Sequence, residues 1–384
     1  MENYEYLAGS TRPPFTLAEI ILFLTVIYLF MGTGGNWQIL LAVLLLIYWF
    51  ALMAGKLWPP PKFDFPATPL VRKNSTPNAP TKANFVWSPE YKVGFWWHFP
   101  PVKKYVLIHH RAIEEKILTE DDFIKPTPLR DQDLALVHGR GYLWRLYLLS
   151  ITPLGFLNGE NPISFKILKK LKIACGGTYL ACKIALEQQI GMNLGGGFHH
   201  AFACHEEGFC HLNDMSIAIR KLQTERLINR AMIIDCDVHQ GNGTASIFES
   251  DKTVFTFSIH QDDLYPYPKQ YSNYDISLLR NQRVDDKRYL EELKVLPTLI
   301  QEHRPDLIIY LAGADPFQYD RLGGFLLTKQ GLMDRDAYVL RVCADIDIPT
   351  AIVLGGGYAS NIDDIVEIHL NTIRVVHKLL KGDV

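Results

Sequence analysis

AMIIDCDVHQGNG, residues Ala231–Gly243, is a short apolar run that ends in Asp235, Asp237 and His239 and then turns through glycine. In extended backbone, residues two apart point to the same side. The three polar side chains therefore face one another where a buried strand opens into a loop. Burying two carboxylates and an imidazole without partners is expensive, so the pattern points to a metal or catalytic site. The competing reading is a solvated loop with an incidental histidine.

On either side of this stretch, apolar β-like runs alternate with helical periodicity. Helices are expected at Gly176–Gln189, Leu212–Thr224, Lys287–His303, Gln330–Asp345 and from Ile362 onward. Strands are expected at Gly191–Leu194, Ala231–Ile234, Thr253–Ile259, Asp306–Leu311 and Thr350–Leu354. The alternation predicts an α/β fold, a parallel sheet covered by helices on both faces. The first strand leads into GGGFHH (Gly195–His200), the second into DCDVHQGNG and the third into His260–Gln261. The fourth leads into AGADP with Asp315, and the fifth into GGGY ending at Tyr358. Ligands of open α/β sheets bind at the carboxyl ends of strands, and every unusual polar residue sits there.

The chain has 384 residues, enough for one large α/β domain or two smaller ones. With 48% hydrophobic and 21% charged residues it is neither disordered nor highly charged. A net charge of −2 gives no general push toward nucleic acid. The cysteines, Cys175, Cys182, Cys204, Cys210, Cys236 and Cys343, form no CxxC pair and read as reduced thiols in a cytosolic-facing domain.

Residues 1–14 read as a polar tail. Two apolar runs follow, about 15–31 and 37–55, each near the ~17–25 residues that cross a bilayer. Residues 15–57 are accordingly expected to form a transmembrane helical hairpin, weighed against a buried hairpin and a signal peptide. Arg12 before it and Lys56 and Lys62 after it predict a multi-pass membrane protein with both hairpin ends, and the globular region, in the cytoplasm. Residues 58–83 are rich in proline and read as a semi-extended linker. Residues 84–384 have globular texture throughout.

Asp237, His239 and Asp315 offer three oxygen and nitrogen donors, which leaves a position open for water or substrate, as catalytic zinc requires. Zinc polarises a carbonyl and activates water. The His199–His200 pair suits acid and base work, because imidazole titrates near neutral pH. Tyr358 on its glycine turn is a neutral donor for a developing oxyanion. Each piece has a bland reading: an HH pair is often incidental, GGGY is common in turns, and Asp315 could begin a helix. Cys204, His205, Cys210 and His211 also suggest a zinc knot, although their spacing matches no usual pattern. The conjunction is specific, and it describes amide or ester hydrolysis.

In order, GGGFHH, GFCHLND (Gly208–Asp214), IIDCDVHQGNGT, LAGAD and GGGY resemble the zinc-dependent histone deacetylase superfamily, over about Phe85 to the C-terminus. DLALVHGRGYL (Asp133–Leu143) and DRLGG (Asp320–Gly324) are most similar to the class IV enzymes. The resemblance implies an arginase/deacetylase-like fold. It implies one catalytic Zn²⁺ on Asp237, His239 and Asp315; Gly241 and Asn242 stand where the related arginases carry a further aspartate for a second metal. It implies that His200, partnered by Asn242, takes a proton from the attacking water, with His199, backed by Asp235, as the second histidine of the dyad. Tyr358 would donate to the substrate carbonyl, and Gly208, Phe209 and Tyr265 would line the tunnel. A structural K⁺ site is implied at Asp235, Asp237, His239, Ser258 and Ile259.

The function so implied is removal of acetyl or long-chain fatty-acyl groups from N-acyl-lysine of a protein or peptide. Small acetylated amides such as acetylpolyamines are the alternative substrate, and an acidic residue at the tunnel rim would favour them. A catalytically silent, membrane-tethered binding module is the alternative of another class. The expected partners are the acylated substrate and, through the hairpin, a membrane, with no direct nucleic-acid binding.

Overall fold

The computed structural model describes residues 83–92, 94, 102–158 and 160–382, together with a few scattered positions before residue 83, among them Pro61, Phe63 and Phe65. Eight strands form one sheet: β1 (Phe85–Val86), β2 (Phe123–Ile124), β3 (Ile190–Asn193), β4 (Ala231–Asp235), β5 (Val254–Gln261), β6 (Tyr274–Leu278), β7 (Leu307–Leu311) and β8 (Thr350–Val353). Their order is β2-β1-β3-β8-β7-β4-β5-β6, and every neighbouring pair is parallel.

The central strands read as unbroken apolar runs because both of their faces are covered. Along β4 and β7, Ala231, Ile233, Leu307, Ile309 and Leu311 enter one core with Ala181, Cys182, Ala218 and Leu222. Those partners come from the helices Phe165–Gln188 and Asp214–Thr224. The alternate residues Met232, Ile234, Ile308 and Tyr310 enter the opposite core with Ile108, Leu332, Val339, Ile365 and Ile373. These side chains come from the helices Lys104–Glu114, Lys329–Asp345 and Ile362–Lys381. The expected sheet with helices on both faces is what forms.

Some local expectations shift. The helix expected from Gly176 starts at Phe165, where the Ser164 side chain accepts a hydrogen bond from Ile167 N at 3.4 Å. The single helix expected over Lys287–His303 is two, Asp286–Glu292 and Leu296–His303, joined by the 3-10 turn Leu293–Val295. Pro297 causes the restart: without an N–H it fits only the first turn of a helix. The edge strand β6, YDISL, is largely solvated and lacks the apolar pattern that marks its neighbours.

The hairpin expected over residues 15–57 lies almost wholly outside the described residues. Among the described residues no helix is long and apolar enough to cross a membrane. The longest, Phe165–Gln188, carries Lys166, Lys169, Lys170 and Lys172 in its first turns, charges a bilayer core does not accept. The multi-pass membrane localisation is therefore corrected.

Candidate active site

The site lies beyond the carboxyl ends of β3, β4, β7 and β8, all near the middle of the sheet. Two glycine turns make room for it. Gly197, at φ +82°, passes so close to the turn after β8 that a Cβ there would stand 2.6 Å from Gly355 Cα. The GGGFHH turn is tied down by Asp214, which accepts from Gly197 N at 3.0 Å, Phe198 N at 2.8 Å and Thr178 Oγ1 at 2.5 Å.

Asp237, His239 and Asp315 are buried, and one potential ligand atom from each lies within 4.8 Å of the others. His239 Nδ1 is 3.0 Å from Asp237 Oδ1 and 3.3 Å from Asp315 Oδ2. Backbone amides orient the carboxylates: Gly356 N donates to Asp237 Oδ2 at 3.0 Å and Val238 N to Asp315 Oδ1 at 2.9 Å. Asp315 Oδ2 is buried without a hydrogen-bond donor. Burial and the neighbouring Asp237 push Asp315 up to about 7. Asp237 moves the opposite way: despite its own burial, His199 and His239 hold it well below the usual carboxylate range. A divalent cation held by these residues would relieve that conflict, so the donor set and its orphaned oxygen fit zinc.

The two histidines differ through their partners. His199 Nδ1 lies 2.7 Å from Asp235 Oδ2, and His200 Nδ1 lies 2.7 Å from Asn242 Oδ1. The ring centroids are 4.0 Å apart. Burial disfavours charge on His199, but Asp235 and Asp237 outweigh it and raise the imidazole to about 9. Burial, with His199 and His239 alongside, pushes His200 well below its ordinary value. One ring holds a proton while its neighbour stays neutral.

Tyr358 lines the same space, its backbone N donating to Asp320 Oδ2 at 2.6 Å. Burial, reinforced by Asp237 and Asp315, drives its phenol well above 10, so it remains a donor. A cavity of about 310 Å³ leads outward past His200, Gly208, Phe209, Tyr265 and Tyr358. The Tyr265 ring stands 5.0 Å from that of His200, nearly edge-on. Gly208 and Phe209 from one loop and Tyr265 from another line this one cavity.

Of the residues assigned to potassium, Asp235 and Ser258 face each other across β4 and β5. Ile259 packs its side chain into the apolar core, which leaves its carbonyl as its polar group. The alternative Cys/His knot is not assembled. Cys210 Sγ contacts Gly208 O, His211 Nε2 contacts Asn161 O, and His205 stacks on Phe202. All six cysteines are free.

Three neighbours were not anticipated. Buried Lys104 donates to Gly355 O at 2.7 Å and Gly356 O at 2.9 Å, holding the turn that carries Tyr358. Burial lowers it to about 8 against the pull of Asp315, Asp237 and Asp320. Fully buried Arg335 donates to Cys236 O at 3.2 Å and Gly313 O at 2.7 Å, tying together the two loops that present the cluster. Glu160 stands at the cavity mouth and accepts from Gly208 N at 3.0 Å.

The Histone deacetylase domain family model matches residues 98–373. An uncharacterized protein of Picosynechococcus sp. is 39% identical, over 71% of this chain and 90% of its own length. Histone deacetylase 2 of Arabidopsis thaliana is 29% identical, over 72% of this chain and 75% of its own. The crystal structure of the HDA15 HD domain has the same fold, with a TM-score of 0.66 at 22% identity, covering 79% of this chain and 89% of that one. The cluster and its paired histidines thus stand within a match that spans most of the sequence, and this chain belongs to the histone deacetylase domain family.

Proposed function

We propose that this chain is a zinc-dependent hydrolase of N-acyl-lysine amides, most similar to the class IV enzymes through Asp133–Leu143 and Asp320–Gly324. The observation that carries the reading is the opposite bias of His199 and His200 beside an Asp237–His239–Asp315 donor set. Those three residues would hold a zinc ion, which would supply Lewis acidity to the amide carbonyl and to water. His200, neutral, accepts the proton of the attacking water through Nε2. His199, protonated, holds a proton for the departing amine. Tyr358 donates its phenolic hydrogen to the carbonyl oxygen as charge develops there. The apolar wall of Phe209 and Tyr265 suits the acyl-lysine stem, and acetyl or long fatty-acyl groups are the proposed acyl chains. A structural potassium ion near Asp235 and Ser258, using backbone carbonyls of Asp237, His239 and Ile259, is proposed on resemblance.

Glu160 at the cavity mouth favours a second reading, in which a cationic small amide such as an acetylpolyamine is the substrate. Turnover of acetylpolyamines, acetyl-lysine peptides and fatty-acyl-lysine peptides, measured side by side, separates the two. For either substrate, His200→Ala and Tyr358→Phe are expected to lower kcat about a hundredfold or more. Variants as active as the parent would refute the mechanism.

A further inference from the structure

Glu207 immediately precedes the Gly208–Phe209 wall, and neither the hydrolytic reading nor the sequence motifs give it a role. Its Oε1 accepts two hydrogen bonds, from Asn242 Nδ2 at 2.8 Å and from Tyr265 Oη at 3.1 Å. Its Oε2 lies 3.4 Å from His205 Nε2. Burial works against its charge, yet the nearby His205 and hydrogen bonds from Asn242 and Tyr265 hold it below the usual carboxylate range. It is therefore an ionised, half-buried acceptor.

An ionised carboxylate only accepts hydrogen bonds. Whatever part of the Asn242 amide faces Glu207 must be its NH₂ group. The amide oxygen then faces His200 Nδ1, 2.7 Å away, and that oxygen only accepts. His200 must consequently carry its hydrogen on Nδ1, which leaves Nε2 bare. Without Glu207, the Asn242 amide could turn over, present NH₂ to Nδ1 and move the hydrogen to Nε2. The second bond, to Tyr265, holds the ring that packs edge-on against His200.

We propose that Glu207 is a positioning residue that, through Asn242, fixes His200 in the tautomer whose Nε2 can accept a proton, and with Tyr265 holds the tunnel wall in register. The catalytic consequence rests on the hydrolase reading above; the tautomer itself does not. In fixed order from the tunnel wall, Glu207, Asn242 and His200 form a relay in which a neutral amide passes on orientation without passing on charge.

The test is made on the full chain with ¹⁵N-labelled histidine, the His200 signals being assigned by their loss in His200→Gln. The parent is expected to show His200 as the Nδ1–H tautomer. Glu207→Leu is expected to show Nε2–H or a mixture, and Glu207→Gln, which keeps an acceptor, a smaller change. On acyl-lysine peptide, Glu207→Leu is expected to lower kcat about ten- to a hundredfold with KM within about twofold, and Glu207→Gln to recover part of the loss. Zinc content and unfolding midpoint, measured alongside, identify a variant that merely fails to fold; Glu207→Gln then decides, being expected to shift some His200 population to Nε2–H. An unchanged Nδ1–H tautomer in a folded Glu207→Leu overturns the inference. So does an Nε2–H tautomer in the parent. If the parent hydrolyses no amide yet shows the expected tautomer shift, the role of Glu207 in orienting His200 stands and the hydrolase reading falls.

Discussion

His199 and His200 are the same side chain at adjacent positions, yet Asp235 and Asp237 raise the first while burial beside His199 and His239 lowers the second. The pH dependence of hydrolysis follows from this. His199 is raised to about 9 and is needed protonated, so its contribution is present below that pH and is lost as pH rises through it. Asp235, 2.7 Å away, is the largest source of the upward shift. Asp235→Asn is accordingly expected to bring the alkaline limb of the kcat profile down from about 9 toward the ordinary histidine value near ~6.5. A limb that stays in place would remove His199 as the group that sets it. Lys104 acts on the same site through backbone. Its ammonium donates to two buried carbonyls of the GGGY turn, of which Gly356 O also accepts from Ala314 N at 3.3 Å.

The long helix Phe165–Gln188 shows how one element limits what its residues can be. Gly176 lies in its interior, where glycine normally costs a helix about 1 kcal/mol relative to alanine. Here a Cβ would stand 1.9 Å from Thr127 O. Gly176→Ala is therefore expected to destabilise the chain by about 1–3 kcal/mol through overpacking, in the direction opposite to helix propensity. Urea unfolding of the full-length protein checks the sign. The same element separates what the sequence makes legible from what it hides. Strand β4 and its polar exit were legible because a two-residue period and the following glycines are local signals. The start of this helix was not, because its clustered lysines blur the apolar stripe and its only marker is the Ser164 cap. Lys104 and Gly355 are 251 positions apart, so no local pattern connects them. Glu207 was hidden for a different reason. It adjoins a recognised motif, but its partners Asn242 and Tyr265 meet it only once the loops after β3, β4 and β5 converge.

At the scale of the whole molecule, a parallel sheet closed on both faces gathers the ends of four strands around one buried acidic cluster, and the family match covers every strand of that sheet but β1. The chain before it is not wholly separate. Phe63 and Phe65, within the stretch expected to be a linker, stack on each other with centroids 5.3 Å apart. The Arg220 guanidinium lies 5.9 Å and 5.5 Å from their centroids and 4.9 Å from that of Phe248. Arg220 is largely buried, on the helix Asp214–Thr224 whose first residue anchors the GGGFHH turn, and it also pairs with Asp251 at 2.5 Å. Aromatic faces over a desolvated guanidinium contribute about 0.5–2 kcal/mol. A fragment beginning at Asn84 loses them and one beginning at Trp58 retains them. The shorter fragment is therefore expected to unfold more easily, by about 1–2 kcal/mol, with kcat/KM on acyl-lysine peptide within about twofold because no reacting group is removed. Phe63→Ala with Phe65→Ala in the full chain should reproduce most of that loss. Equal unfolding midpoints in all of these proteins would mean that the two rings rest on Arg220 without stabilising it, and that the folded unit begins at the first strand.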